Sequence, residues 1–478
     1  MDYDCDILIA GGGPTGVTLA ILLANRGVNV IVVEKEPDIY PLPRAAHIDH
    51  ECMRILQEAG VADEVIATSR RAARYDFLSA KGEVLLRFDG SDQIGAGGWP
   101  AANMIHQPTV EAALRNVLDR SANATLKRSR ELKSFVDDGK GVTALITAPD
   151  GEQKVRARYL VGADGARSPV REATNIAFDD LNFEEPWLVV DMLVDDYSRL
   201  PSENLQICDP ERPTTCVLMG EGRHRWEFMI KPGETAEQVC DDAFIEELLA
   251  PWDVKGAVRL ERKAVYTFRA RIAEQWRKGR VLLAGDAAHQ TPPFAGQGMC
   301  SGLRDAVNLA WKLAAVVKEN APDSLLDSYQ PEREPNLRAT IQMAIMMGRM
   351  VCTTSRWSAF WRDTKFRLAR ALGKLPAGPP GYPHLSSGII LSGAVAAGDY
   401  FPQFLANDQK LDDVLGNSSL VLARGGVGNP ALAPFQAAID HWLAKHNAEA
   451  VLLRPDHYIF GTGNAAELEA AWHQHTTT

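Results

Sequence analysis

The chain is short of the features that stabilise secreted, metal-binding or membrane proteins. Its seven cysteines, Cys5, Cys52, Cys208, Cys216, Cys240, Cys300 and Cys352, are scattered and odd in number. None has CxxC or zinc-ligand spacing, so neither a disulfide framework nor a metal site is expected. Reduced thiols in a cytoplasmic setting are the expectation. No apolar run reaches the roughly twenty residues that span a bilayer, and no membrane partner is expected. Asp2, Asp4 and Asp6 stand where a secretory leader needs basic residues. No dense cluster of Lys and Arg occurs, and the net charge is -11. That excludes a nucleic-acid partner, which needs clustered cations for its phosphates. There are no internal repeats and no low-complexity tracts.

What is present reads as an ordinary globular protein. The 478 residues allow two or three domains, with 46% hydrophobic and 24% charged residues. The opening is strand, turn, helix, strand. Asp6–Ala10 is a short apolar run, as a buried parallel strand should be. Gly11 to Gly16 makes the turn, Val17 to Asn25 a helix, and Val30 to Val33 the second strand.

The turn Gly11-Gly12-Gly13-Pro14-Thr15-Gly16 fits G-x-G-x-x-G. Gly11 allows the tight bend, Gly13 lets a pyrophosphate approach the backbone, and Gly16 lets helix and strand pack closely. The helix N-terminus supplies free N–H groups and the positive end of its dipole. Glu34, with Lys35 beside it, ends the second strand eighteen residues after Gly16. A carboxylate there can take ribose hydroxyls. The alternative, a purely structural glycine turn, would need all of these to coincide.

The middle of the chain is richer in strands: Trp187 to Val194, Thr214 to Gly220, Trp226 to Lys231 and Arg259 to Phe268. A partly antiparallel sheet is expected there. Arg223, His224 and Arg225 read as solvated charges at a turn, with a carboxylate-binding role as the alternative. Arg280 to Ala284 is again an apolar strand, followed by a helix from about Ser301 to Lys318. A helical stretch follows from about Pro331 to Lys374. Its Met343, Met346, Met347 and Met350 are expected in packing. So are Trp357, Phe360, Trp361 and Phe366, with a membrane-surface helix as the alternative. Leu375 to Pro383 is a Pro/Gly linker, and a small α/β segment closes the chain.

Four further motifs carry a resemblance. They are Pro43-Arg44-Ala45, the stretch Tyr159–Ser168 with Asp164-Gly165, Arg280–His289 with Gly285-Asp286, and Gly296-Gln297-Gly298-Met299. In this order and spacing the chain resembles the single-component FAD-dependent aromatic hydroxylases of the p-hydroxybenzoate hydroxylase type. It is most similar to the 3-(3-hydroxyphenyl)propionate and phenol hydroxylases, to which Val265–Arg271 and Arg304–Lys312 add support. The resemblance covers about residues 1 to 345.

The resemblance implies an α/β fold: a Rossmann-like FAD domain of the GR2 type with an inserted mixed β-sheet substrate domain. Residues 1–75, 100–180 and 276–345 would form the first, and 76–99 and 181–275 the second. A helical region and linker, 346–383, would lead to a thioredoxin-like segment, 384–478. That segment has no cysteine, so disulfide chemistry is excluded there. FAD is the implied cofactor and NADH or NADPH the co-substrate. Only one dinucleotide fingerprint exists, so the nicotinamide would bind transiently in a groove. Dioxygen and a small phenolic compound are the implied partners, and a homodimer is usual for such proteins.

The implied site residues follow. Asp286 would accept from the ribityl hydroxyls; its alternative is a helix N-cap. Gly296, Gly298 and Met299 would pass close to the flavin. Arg44 would neutralise a phosphate, and Gln107 would bond the cofactor's adenosine or ribityl side. Asp164 would lie near the pyrophosphate, unless it only holds a strand-to-helix turn, and Arg167 would attract the reductant. Pro293, within Pro292-Pro293-Phe294, would cover one flavin face. Reduced flavin and dioxygen give a hydroperoxide whose distal oxygen attacks an electron-rich ring, so a partner for the substrate hydroxyl is expected. Tyr266 is the first candidate, with a packed sheet aromatic as its alternative. His47 is the second; near relatives tend to have Gly there. Three other readings compete. They are a tailoring hydroxylase of a larger polyketide-like aromatic, a flavin reductase or dehydrogenase without oxygen insertion, and a non-catalytic flavin-binding protein.

Overall fold

The computed structural model describes residues 3–41, 44–375, 381, 383–416, 418–426 and 430–477. Pro43 and most of the expected linker, residues 376–380 and 382, lie outside the described residues. Strand β1 (Cys5–Ala10) is buried at every position. It pairs in parallel with β2 (Val30–Glu34) on one side and the strand Gly151–Gly162 on the other. Val281–Leu283 extends this sheet beyond Gly151–Gly162, and Ala124–Arg128 extends it beyond β2. Helix α1 (Pro14–Asn25) crosses between β1 and β2 and is buried from Gly16 to Ala24. It is apolar all round because it is covered on every side.

A second eight-stranded sheet stands against this unit. Its long strands are β3 (Phe178–Val194), β4 (Asn204–Cys208), β5 (Thr214–Leu218), β6 (Arg223–Met229) and β7 (Val258–Ala273). The order runs β7-β3-β6-β5-β4 and then into Arg74–Ser79. One face carries Leu188, Val190, Trp226, Phe228 and Cys216 into a separate apolar core. The opposite face carries Asp191, Arg225 and Glu227, and it looks toward the first unit. Arg223, His224 and Arg225 therefore lie on a strand, not on a solvated turn. His224 and Arg225 are buried, and Arg223 is clamped by Glu261 at 2.8 Å. Alternation within the strand overrode the charge-based expectation.

Helix α2 (Gly298–Lys318) packs beneath the parallel sheet, and α3 (Tyr329–Val351) follows it. The helical stretch expected to Lys374 breaks after α3, and α4 spans Arg356–Ala371. Met347 is buried, Met343 and Met350 pack against the core, and Met346 is exposed. The aromatics of α4 do not all pack as expected. Phe366 does, but Trp357 is 69% exposed, Phe360 53% and Trp361 54%. The opposite side of α4 holds it in place. Ala359 is buried there, and Arg362 donates to the carbonyls of Met350 and Cys208 at 3.0 and 2.6 Å.

The C-terminal segment is a three-stranded antiparallel sheet, Leu420–Ala423, Ala450–Leu453 and Ile459–Gly463. Helices Gln436–Lys445 and Ala465–Thr477 cover it. A buried ionic knot joins it to the main body. Glu332 of α3 accepts from Lys312 at 2.7 Å and from Arg454 at 2.6 Å, and Arg454 also meets Asp456. No helix among the described residues is long and apolar enough to cross a membrane.

Candidate active site

The turn after β1 is built as its glycines suggest. Gly11 has φ +106°, and a Cβ there would strike the Ala163 carbonyl. Gly16 packs directly on the Gly11 carbonyl, whereas Gly13 meets nothing within 4 Å. Gly11 and Gly16 are thus needed by the fold, and Gly13 faces open space. Gly13 caps α1 without any side-chain hydrogen bond, so the first-turn N–H groups of α1 have no side-chain acceptor. Pro14 occupies the first turn, where a missing N–H costs nothing. Glu34 accepts from the Gly12 N–H at 2.7 Å and from the Glu36 N–H at 2.9 Å. Its carboxylate is thereby fixed at the rim of the turn, with lone pairs to spare for a diol. Lys35 is exposed next to it.

Asp286 follows Val281–Leu283, at the carboxyl end of its strand. By surface area it is exposed, yet protein crowds round it. That enclosure lifts its carboxyl above the usual range. Asp286 lies inside the short turn Gly285–Ala287, whose cap position is Ala284, so it is not the cap of that turn. Beyond it, Pro293–Ala295 forms a short turn that ends at Gly296 in the left-handed region, φ +64°. Helix α2 then begins at Gly298, again with no side-chain cap, and Met299 lies in its first turn. Two uncapped helix N-termini therefore flank one acidic floor. Thr15 sits between Gly285 and Gly302, where Cβ atoms would collide with it, and so holds α1 and α2 together.

Other expected residues have different employment. Gln107 accepts from the Arg44 and Ala45 N–H groups at 3.2 and 2.7 Å and donates to Glu111 at 2.7 Å. Its amide shapes the 44–45 backbone. The Arg44 guanidinium lies 5.1 Å from the Tyr40 ring, and its carbonyl accepts from Arg225 at 2.9 Å. Asp164 does hold the strand-to-helix turn, accepting from the Val170 N–H at 3.0 Å. Its other oxygen, Oδ1, is buried without a partner. Burial raises this carboxyl as well. Arg167 is exposed nearby.

His47 reaches the loop from the opposite wall, with Nδ1 3.2 Å from the Gly296 carbonyl. Burial works against its charged form, but Cys300, Asp49 and the Gly296 carbonyl together outweigh burial and raise its pKa. The Cys52 thiol, and then His47, draw Cys300 down to about 7. Ligand atoms of Asp49, Cys52 and Cys300 come within 4.8 Å of one another. Asp49, however, caps the His50–Glu58 helix and pairs with Arg304 at 2.9 Å, which leaves two thiols. Spacing could not reveal this cluster, because its members come from distant segments. Tyr266 is half-buried on β7, opposite Trp187, with Arg262 5.0 Å from its ring. Trp187 meets Phe294 at 5.5 Å and Phe268 at 6.2 Å, closing one end of the cleft.

The residues present fit a bound FAD. Gly13 and Gly298 leave backbone surfaces open, two helix N-termini offer N–H groups to a pyrophosphate and a ring carbonyl, and Glu34 and Asp286 offer acceptors to hydroxyls. Comparison with known proteins agrees. The family described as "FAD binding domain" matches residues 4–344. A probable NADH-specific resorcinol 4-hydroxylase of Rhodococcus jostii (strain RHA1) is 37% identical, covering 97% of this chain and 93% of its own. A 3-(3-hydroxy-phenyl)propionate/3-hydroxycinnamic acid hydroxylase of Mycolicibacterium smegmatis (strain ATCC 700084 / mc(2)155) is 36% identical, over 96% and 83%. Among solved structures, aklavinone-11 hydroxylase with FAD and aklavinone superposes with a TM-score of 0.81. It is 26% identical and covers 100% of this chain and 99% of that one. By its cleft and by these likenesses, the chain belongs to the FAD-binding-domain family, as a flavoprotein aromatic hydroxylase.

Proposed function

We propose that the chain hydroxylates a small phenol or phenolic acid in the breakdown of aromatic compounds, with NADH as reductant. The observation that carries this is the pair of near-full-length relatives named for resorcinol and for hydroxyphenylpropionate, one of them called NADH-specific. The balance is one phenol, dioxygen, NADH and a proton going to a dihydroxyarene, NAD⁺ and water. Bound FAD would supply the redox chemistry, taking a hydride and passing one oxygen atom to the ring.

The chain's own residues hold, orient and dry the site. Gly11, Gly13, Pro14, Thr15 and Gly16 would receive the pyrophosphate, Glu34 and Lys35 the adenosine end, and Asp286 the ribityl hydroxyls. Arg44, Gln107 and Asp164 would border the same groove, Gln107 through the backbone it holds. Pro293, Gly296, Gly298 and Met299 would shape the ring pocket. Tyr266 and His47 would face the substrate, His47 as a proton relay near neutral pH. Seven free thiols suit a reducing, cytoplasmic setting.

A second reading, a larger fused aromatic as substrate, is favoured by the aklavinone hydroxylase likeness across the whole chain. One experiment tests both. NADH and NADPH oxidation, dioxygen uptake and product mass are followed over a panel of phenols, phenolic acids and polycyclic phenols. Faster NADH oxidation with a small phenol, and a product heavier by one oxygen atom, is the expected result. Turnover restricted to polycyclic phenols would favour the second reading. No flavin reduction with either nucleotide and any ring would sink both.

A further inference from the structure

The face of the second sheet that looks toward the cofactor cleft carries a carboxylate with no assigned task. Glu227 lies on β6 between Arg225 and Met229, opposite Val189 on β3 and Thr215 on β5. Its direction follows from its neighbours in register. Arg225, two residues before it on the same face, donates to the Arg44 carbonyl at 2.9 Å. Trp187, opposite Met229 on the same face, packs on Phe294 at 5.5 Å. Arg44 and Phe294 are the two rims of the cleft. Glu227 therefore projects from the sheet between them, on the face turned toward the first unit. It is 7% exposed.

Burying a carboxylate is costly unless donors surround it. Two of the neighbouring donors, the Thr215 hydroxyl and the Gln206 amide, are turned away. The Thr215 hydroxyl donates to Gln206 Oε1 at 2.7 Å, and Gln206 Nε2 donates to the Tyr75 hydroxyl at 2.5 Å. Arg225 is drawn to Asp191 at 2.6 Å and leaves 3.6 Å to Glu227; Arg262 also faces Asp191, at 3.5 Å. Among the described residues no donor hydrogen-bonds the Glu227 carboxylate. Burial, only partly offset by Arg225, raises its pKa and makes its carboxylate a stronger base. An acceptor so placed is complementary to a ligand that brings its own O–H.

We propose that Glu227 is a catalytic residue that accepts the substrate's phenolic proton and holds the ring's hydroxyl toward the sheet. The inference rests on the hydroxylase reading above. In the step, the phenol O–H bond breaks, the proton passes to a Glu227 carboxylate oxygen, and the electron pair stays on the phenolate oxygen. The ring becomes a stronger nucleophile for the incoming oxygen. When the product leaves, Glu227 returns the proton to the phenolate oxygen. The Tyr75-Gln206-Thr215 chain acts in positioning: it keeps the Thr215 and Gln206 donors off the carboxylate.

The test compares FAD-loaded wild type with Glu227→Gln, an isosteric amide that should fold alike. Resorcinol and a fluorinated, more acidic phenol are titrated in, and ultraviolet difference spectra report bound phenolate. Wild type should show a phenolate band below the phenol's solution pKa. Glu227→Gln should lose it, bind each phenol within a few-fold, and hydroxylate resorcinol about 10²-fold more slowly. The acidic phenol should recover most of the rate, because it ionises unaided. Equal phenolate bands in both proteins, or equal loss with both phenols, would overturn the proposal. If wild type hydroxylates no phenol at all, the hydroxylase reading fails instead. The difference spectra then still decide whether Glu227 takes the proton.

Discussion

At the residue scale, the glycine-rich turn separates two demands that its sequence motif merges. Gly11 and Gly16 serve the protein's own packing; Gly13 serves only what enters the cleft. Gly13→Ala should therefore leave the melting temperature of the cofactor-free protein within about 2 °C of wild type. It should weaken FAD binding about tenfold or more, roughly 1.4 kcal/mol, as read by flavin fluorescence titration. Unchanged FAD affinity would show that the backbone there does not approach the cofactor. The motif itself was plain in the sequence, because local backbone geometry dictates it. Gln107 and Asp164 were visible as positions but not as roles, since their bonds to Ala45 and Val170 depend on how the loops close. Glu227 gave no signal, because its meaning lies in neighbours contributed by five other strands.

At the scale of elements, the βαβ opening and the apolar strand before Asp286 were legible from periodicity and length. The break between α3 and α4 was not. Pro335 stands inside α3, and α4 starts on a local cap, the Ser355 side chain accepting from the Ser358 N–H, a signal easily lost in a long stretch of helix formers. The knot around Glu332 was equally hidden, since it joins residues more than a hundred positions apart. Burial opposes its ionisation, but Arg454 and Lys312 overcome that and hold its carboxyl down to about 2. Burial draws Lys312 to about 8, still above neutral pH, so the knot is charged at pH 7. A lowered carboxyl stabilises the fold above its unfolded pKa, near 4.5. That stability is lost as pH falls from there toward about 2. Glu332→Gln should remove this acid dependence. It should also cost about 3–5 kcal/mol near neutral pH, because it leaves buried cations unpaired. Urea unfolding at pH 7 and pH 3 checks both points; equal losses at the two pH values would refute the linkage.

At the scale of the whole molecule, the chain is acidic, yet α4 carries Arg356, Arg362, Lys365, Arg367 and Arg370 around an exposed aromatic group. Trp357 and Phe360 stack at 6.0 Å, and Trp361 meets both edge to face at 5.8 and 5.6 Å. Side chains that stay in water contribute little to folding. The triple variant Trp357→Ser, Phe360→Ser, Trp361→Ser should melt within about 2 °C of wild type and keep full hydroxylase turnover. It should elute earlier from a hydrophobic-interaction column. A large drop in melting temperature would mean that the group is covered in solution.

The lock of Thr15 between Gly285 and Gly302 has a consequence in time. A chain emerging from the ribosome makes the glycine turn almost at once. The strand Val281–Leu283, the acidic floor at Asp286 and the second helix N-terminus at Gly298 come more than 250 residues later. Until then the parallel sheet lacks its neighbour to Gly151–Gly162, and the first helix lacks its partner. The cofactor groove is thus a late product of synthesis: the whole second sheet is translated while its binding turn waits.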